Sequence, residues 1–310
     1  MKRLALALLS VALAGVTLAA EEPRLVKPIN LAINTRDDED EPHVASDGKT
    51  LYYSVKVKAK GKEKEKEGTR QAIAYTTRTA TTRPWGKAHL FDDFFEAESE
   101  VRGVFLTPEG TYPQVMYFGL FASEKAEGSK GNWDVVFGIR ERAGKGVGPT
   151  RPLLTIDTTK DELHPWLTPG AAEIYFSRKT DDGWRVYVAE RTNKADKKAI
   201  PSFGDPVLIK ELPANFHHAT LMPDGKTMYL QGPLEKDRWG LFVSTKSNTG
   251  WSKPEPLTML NHPDGKIGDL SPNLSRDGAL LYFASDRPEG KGGLDIWVIA
   301  TKELVIKKKS

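Results

Sequence analysis

The sequence predicts an all-β protein folded as a five-bladed β-propeller, and three features support this prediction. A segment centred on a tyrosine recurs five times, with successive copies 53 to 65 residues apart. Each copy has a glycine-containing turn before its tyrosine and a run of apolar residues after it. Repeats of about 40 to 50 residues that hold several short strands are typical of propeller blades. The central tyrosines are Tyr52, Tyr117, Tyr175, Tyr229 and Tyr282.

Each repeat contains the same predicted strands in the same order. The first strand ends at a turn such as Asp277-Gly278, and these residues tolerate the positive φ that a tight hairpin requires. The tyrosine lies in the second strand, and a continuous apolar run such as 295–298 indicates a buried third strand. A proline-containing segment such as 251–257 forms the fourth strand, which belongs at the outer edge because proline has no N–H to donate.

The last repeat has no fourth strand of its own, and a segment near residue 28 is predicted to supply it. Residues 25–31 match residues 251–257 position by position, including the Lys-Pro pair and the final leucine. Pairing of this segment with the last blade would close the ring and remove the free strand edges that invite aggregation. A six-bladed ring is the alternative, and it would require a repeat without a recognisable hairpin.

The residues before the propeller have the character of an export signal. A basic start, Met1-Lys-Arg, precedes an apolar run that ends in small residues, so residues 1–20 are predicted to be a signal peptide and residues 21–310 a single propeller domain. We therefore expect a periplasmic or secreted monomer with no transmembrane segment in the mature chain. The sequence has no cysteine, and its net charge of +3 gives no basic footprint for nucleic acid.

One end of the central channel is predicted to be acidic. The loops that join the fourth strand of one blade to the first strand of the next all reach the same end, which we call the connecting-loop mouth. These loops carry 16 acidic residues and only four basic ones. They comprise residues 34–42, 91–102, 157–164, 211–218 and 261–271.

Histidine is concentrated at the same mouth, and it supplies candidate site residues. Imidazole and carboxylate groups that converge from several blades could hold a divalent cation or polarise a sugar. The alternative role is structural, because a carboxylate just before a first strand often accepts hydrogen bonds from the neighbouring loop. The candidate ligand-binding residues are His43, His164, His217, His218, Glu39, Glu162 and Asp269.

No compact catalytic or metal-binding motif accompanies these candidates in the sequence. There is no glycine-rich phosphate loop and no Gly-x-Ser-x-Gly elbow, so we predict no catalytic residue and no cofactor, with a divalent cation left open. Most tryptophans are predicted to lie in the core between blades, since aromatic side chains bury large areas. These core predictions are Trp133, Trp184, Trp239 and Trp297, while Trp166 and Phe216 are the candidate platforms for a sugar.

The best-preserved repeat resembles the WD40-like PD40 repeat of TolB-type propellers. The resemblance is carried by residues 271–287, SPNLSRDGALLYFASDR, and by the Asp295-Ile-Trp-Val segment that follows. Residues 41–53 share it less closely, and the other repeats depart from it at their turns. Proteins of this kind are typically exported scaffolds of the bacterial envelope that bind other proteins. Because the family shares a fold more than a function, the resemblance implies a scaffold without naming its partner.

Two functions follow as hypotheses. The first is a non-enzymatic exported scaffold that binds a cell-envelope protein or peptide at the acidic mouth, where a basic partner would be attracted electrostatically. The second is a polysaccharide-active enzyme, either a glycosidase that uses two carboxylates or a uronate lyase whose metal is held by histidines. The lyase version predicts that His43, His164 and His218 converge on one point, about 2.1 Å from each nitrogen.

Overall fold

The computed structural model describes residues 25–58, 68–91, 100–108, 114–121, 131–140, 146–196 and 199–304. Within them, 21 short strands form five antiparallel sheets, which confirms the predicted five-bladed propeller. Two short 3-10 helices, Pro169–Ala171 and Thr301–Leu304, complete the regular structure. No helix in the described part of the chain is long and apolar enough to cross a membrane. The proposed signal peptide lies outside the described residues.

The first three blades use their strands in chain order, from the channel outwards. Blade one contains β2 (Glu39–Val44), β3 (Thr50–Lys58), β4 (Thr69–Thr77) and β5 (His89–Leu90). Blade two contains β6 (Glu100–Leu106), β7 (Gln114–Phe121), β8 (Trp133–Arg140) and β9 (Arg151–Pro152). Blade three contains β10 (Glu162–Leu167), β11 (Glu173–Thr180), β12 (Gly183–Glu190) and β13 (Val207–Leu208).

The last two blades differ at their outer edges. Blade four contains β14 (His217–Leu221), β15 (Thr227–Pro233), β16 (Trp239–Ser247) and two short segments that both pair with β16, β17 (Gly250–Trp251) and β18 (Glu255–Pro256). Blade five contains β19 (Asp269–Leu274), β20 (Leu280–Ser285) and β21 (Asp295–Ala300), with β1 (Ile29–Asn30) at its outer edge.

The ring closes as the sequence predicts. Strand β1 pairs antiparallel with β21, with Ile29 opposite Val298 and Asn30 opposite Trp297. The pairing extends beyond the strand, because the Leu31 N–H donates to the Ile296 carbonyl at 3.1 Å. Leu31 is buried in the apolar cluster between blades five and one. The N-terminal segment therefore completes the last blade with both hydrogen bonds and apolar packing.

The core lies between neighbouring blades. The central tyrosines are all buried, and large buried side chains such as Phe118, Phe176 and Phe283 pack around them. Among the four tryptophans predicted to be core, Trp297 is 4% exposed and confirms the prediction. Trp133, Trp184 and Trp239 are only partly buried, and of these Trp239 still packs against the buried cluster of Leu270, Ala284 and Leu294 in blade five. All three lie at or next to the start of a third strand, at the end of the sheets that faces the connecting-loop mouth.

Every first strand carries the same irregularity. Its pairing with the second strand is interrupted at one place, and the residue there has a positive φ of 50° to 64°. These five residues, which we call the channel position, are Glu41, Gly103, His164, His218 and Ser271. A bulge bends a strand and redirects its side chains. Here it turns one residue of each blade towards the axis, and the contacts described below join blades that are not neighbours.

Candidate functional site

Glu41 is the hub of the channel position. Its side chain is 1% exposed, and Arg102 of blade two binds it with Nε 2.8 Å from Oε1. The hydroxyl of Ser54 donates to the other carboxylate oxygen at 2.6 Å, and His164 Nε2 donates to Oε1 at 3.1 Å. Burial alone would raise the pKa of Glu41, but the charge of Arg102 and the His164 hydrogen bond outweigh it and hold that pKa well below the usual range. Glu41 is therefore an ionised and fully engaged acceptor.

Two histidines of the channel position stack against each other beside this carboxylate. The rings of His164 and His218 are 4.0 Å apart, with an angle of 17° between their planes. The hydroxyl of Ser177 lies 3.1 Å from His164 Nδ1 and accepts the backbone N–H of His218 at 3.0 Å. Burial holds the pKa of His218 well below the usual histidine value, and the charge of a protonated His164 would lower it further. The His218 ring is thus neutral at physiological pH.

In three blades, the second-strand residue two positions after the tyrosine hydrogen-bonds the bulge of the next blade. Its side chain accepts the backbone N–H of the channel-position residue in the next blade. These pairs are Ser54 with Gly103 at 3.2 Å, Ser177 with His218 at 3.0 Å, and Gln231 with Ser271 at 2.9 Å. These residues are not among the predicted site residues, although a polar residue two positions after three of the repeated tyrosines is visible in the sequence.

Two groups of described residues could hold a metal ion, and the one in the channel differs from the predicted set; the other is Asp134, Asp157 and Glu162. One ligand atom each of Glu41, His164 and His218 lies within 4.8 Å of the others, so Glu41 takes the place that was predicted for His43. His43 is turned away: its Nε2 accepts the Leu106 N–H at 3.0 Å, and its ring lines a different cavity. Arg102 already neutralises Glu41 from 2.6 Å, and its charge would oppose a cation bound there. The geometry therefore favours an internal ion pair over a metal ligand set.

Three carboxylates that each stand three residues before the proline of a first strand hold the connecting loops. Each is buried and accepts a backbone N–H from the loop that precedes its own strand. These bonds are Thr35 N–H to Glu39 at 2.9 Å, Thr158 N–H to Glu162 at 3.2 Å and His262 N–H to Asp269 at 2.8 Å. Arg178 also binds Glu162, and Arg287 binds Asp269. Burial raises the pKa of both Glu39 and Glu162. These contacts are those of the structural role, which was the alternative prediction for these carboxylates.

His217 lies at the mouth among tryptophans. Its ring stacks on Trp184 with centroids 5.4 Å apart and meets the Trp239 ring edge-on at 5.3 Å. Gln231 Nε2 donates to its Nε2 at 3.0 Å, while its buried Nδ1 has no partner among the described residues. Burial holds the pKa of His217 well below its usual value, so this imidazole is neutral and presents one unused N–H.

Trp133, Trp184 and Trp239 form a partly exposed arc that we call the aromatic rim. They occupy the same repeat position in blades two, three and four, at the start of each third strand. Arg102 lies over the Trp133 ring at 5.8 Å, and Lys179 lies over the Trp184 ring at 5.5 Å. The connecting-loop mouth therefore combines flat aromatic faces with cations, beside the buried cluster of Glu41 and its partners.

Some of the acidic residues predicted to lie at this mouth fall outside the described residues. Asp92, Asp93, Glu96 and Glu98 lie outside the described residues. Several described acids are paired internally, such as Asp38 with Lys56 at 3.0 Å and Asp40 with Arg102 at 3.8 Å. Asp37 and Asp264, in two of the connecting loops, are exposed.

Solved structures similar to this chain include two classes of protein. TolB from Acinetobacter baumannii is 16% identical with a TM-score of 0.46, over 84% of this chain and 54% of TolB, so the chain spans about half of that structure. The α-L-arabinofuranosidase from Podospora anserina in complex with cellotriose is 9% identical with a TM-score of 0.54, over 89% of this chain and 94% of the enzyme. A thermostable family-43 glycoside hydrolase is 13% identical with a TM-score of 0.55, over 87% and 90%. No protein-family model and no curated protein matches the chain, and at these identities the likeness concerns the fold alone.

Proposed function

We propose that the protein is an exported, non-enzymatic propeller of PD40-like repeats that binds a protein or peptide of the cell envelope at its connecting-loop mouth. The aromatic rim carries this proposal. Three successive blades present a partly exposed tryptophan at the same position, with Arg102 and Lys179 against two of the rings. Tryptophan and arginine are the residues that most often dominate the binding energy of protein interfaces. Buried carboxylates fix the connecting loops at the same mouth.

A binding role is also supported by the hydrogen bonds and the pKa of Glu41. Glu41 already accepts hydrogen bonds from Arg102, Ser54 and His164, and its partners hold it ionised. A glycosidase acid needs a raised pKa, and its partner carboxylate must face the sugar across an open pocket. Glu41 has the opposite properties. Export to the periplasm or the medium, as a single domain from residue 21, is part of the same proposal and is supported by the signal-like sequence of residues 1–20.

The test compares a rim variant with a matched tryptophan elsewhere. Trp184→Ala removes one rim ring, whereas Trp85→Ala removes a partly buried tryptophan that contacts Arg78 away from the mouth. The purified chain would first be cross-linked to its partner in an envelope extract, and the cross-linked protein identified. That protein would then be produced and titrated against both variants by calorimetry. We expect Trp184→Ala to weaken binding by roughly 30-fold, as an interface hot spot does, and Trp85→Ala to leave binding unchanged. Equal affinity for both variants would place the interface elsewhere.

Charge at the mouth is tested separately. Glu39, Glu162 and Asp269 are buried, so reversing their charge would disturb the loops rather than probe the surface. Asp37→Lys and Asp264→Lys are the appropriate changes because both side chains are exposed. A basic partner should bind these variants more weakly and show a reduced dependence on salt. Retention of the chain on a polysaccharide matrix, with product release from that matrix, would replace the scaffold proposal with the enzymatic one.

A further inference from the structure

A cavity lined by described residues lies at the other end of the channel, where the first-strand hairpins turn. We call this end the hairpin mouth. The cavity measures about 520 Å³, within the range of about 300 to 1,000 Å³ that small-molecule sites occupy. It is lined by the turns of the first strands and by the segment after β12. It is thus separate from the aromatic rim, with the channel cluster of Glu41, His164 and His218 between them.

The wall of this cavity is apolar and comes from every blade. The last apolar residue of each first strand reaches it, and all five are buried. Phe105, Val115 and Trp166 add further apolar surface, and Trp166 is 9% exposed. The five first-strand residues are Val44, Leu106, Leu167, Leu221 and Leu274.

The charged side chains among the described residues that line the cavity are all basic. Its lining includes Arg191, Lys194 and Arg276 but no aspartate or glutamate among the described residues. Arg191 is occupied, because its guanidinium donates to the carbonyls of Gly170, Asp196 and Ala199.

Of the remaining lining residues that could carry a positive charge, Arg276 is exposed and His43 is neutral. Arg276 is exposed on the hairpin turn and has no hydrogen bond or ion pair within the described part of the chain. His43, at the inner wall, is neutral because burial lowers its pKa to about 3. Lys194 is paired with Glu190, with its Nζ 2.8 Å from the carboxylate. The available charge at this mouth is therefore the guanidinium of Arg276, with the internally bonded Arg191 beside it.

We propose that this cavity binds a single-chain amphiphile with an anionic head group, its alkyl tail against the five first-strand residues and its head group at Arg276. An alkyl chain brings no hydrogen-bonding groups into the apolar wall, whereas a buried peptide would bring N–H and C=O groups that need partners. A cationic head group would be repelled by Arg276 and Arg191, whereas the charge of Lys194 is balanced by Glu190. This site is independent of the proposed partner-binding mouth and serves a different chemical class of ligand.

Calorimetry of the full chain with octanoate, decanoate and dodecanoate, below their micelle concentrations, tests whether the alkyl tail is buried in the cavity. Because each buried methylene adds a constant hydrophobic increment, affinity should rise about fourfold per added methylene until the cavity is full. Dodecyl phosphate should bind if the site accepts any anionic head, and its failure would restrict the ligand to carboxylates. Dodecyltrimethylammonium has the same tail and should not bind. Equal binding of the cationic amphiphile, or no binding of dodecanoate, overturns the proposal.

Two variants locate the bound ligand. Arg276→Glu should weaken dodecanoate binding by about tenfold because a charge-assisted contact becomes repulsive. Lys226→Glu is the matched control, since Lys226 is exposed on the neighbouring hairpin turn and does not line the cavity. Ala172→Trp, at an exposed lining position, should block the mouth and abolish binding while leaving the melting temperature unchanged. Dodecanoate binding that survives both Arg276→Glu and Ala172→Trp would show that it binds elsewhere.

Discussion

Replacing Arg102 with leucine should destabilise the protein more than any other single change at the channel cluster. Arg102 is the main counter-charge of Glu41, with Nε 2.8 Å and a terminal nitrogen 2.6 Å from the same oxygen. Its removal leaves a carboxylate that is 1% exposed without a cation. Breaking a buried ion pair from one side costs about 3 to 5 kcal/mol, because an uncompensated charge remains in a low-dielectric environment.

The expected loss is at the lower end of that range, about 3 kcal/mol. Ser54 and His164 still donate to Glu41 in the variant and compensate part of its charge. Glu41→Gln should cost less, about 1 to 2 kcal/mol, because the side chain of Arg102 is 25% exposed and can turn to water. The double variant should be more stable than Arg102→Leu alone, since it removes the orphaned charge. The two single changes are therefore unequal, although they break the same pair.

Urea unfolding followed by tryptophan fluorescence measures all three variants. The pH dependence adds an independent check on Glu41. Its native pKa is below the value of 4.5 in an unfolded chain, so the unfolded state binds the proton more readily. The stability from Glu41 is thus complete above about pH 4.5 and is lost as the pH falls through the native pKa, and Glu41→Gln should remove that dependence. A larger loss for Glu41→Gln than for Arg102→Leu would refute the reasoning.

Two further predictions concern the loops and the ring. Burial, together with the charges of Asp134 and Glu162, raises the pKa of Asp157 to about 8, so the native state holds a proton that the unfolded chain releases above about pH 4. Stability from this group is therefore complete at low pH and lost as the pH rises to 8, and Asp157→Asn should raise the melting temperature at pH 9 but not at pH 4. Leu31→Ala should cost about 2 to 5 kcal/mol in a urea titration, because it opens the packing between blades five and one. An unchanged midpoint would mean that the N-terminal segment does not hold the ring.

The fold was predictable because the repeat states the same information five times. Hairpin turns, buried apolar strands and proline-marked edges agree at each copy, and local agreement of this kind specifies a single structure. The closure was predictable for the same reason, since 25–31 copies the pattern of 251–257 and pairs as an outer strand of the last blade. The core tyrosines follow from their position in the second strand.

The site was only partly predictable because it depends on a bulge that few residue types reveal. A positive φ is expected at Gly103 but not at Glu41 or His164, which precede proline and would ordinarily be extended. The bulge brings Glu41 and His164 together from non-adjacent blades, and no sequence spacing indicates that contact. Trp184 was predicted to be buried for a similar reason. The pattern places it in the third strand but does not indicate that it lies at the exposed end of that strand.

The way the ring closes also constrains how the molecule can be made. Asn30 donates a hydrogen bond to Asp295 across a separation of 265 residues. Strand β1 is synthesised early but cannot pair until β21, one of the last strands, has been made. Loop closure over such a span is entropically costly, and folding dominated by distant contacts is slow. Until that moment both β1 and β21 offer unpaired edges to any second copy nearby. Reciprocal exchange of β1 between two chains is therefore the natural misassembly of this protein at high concentration.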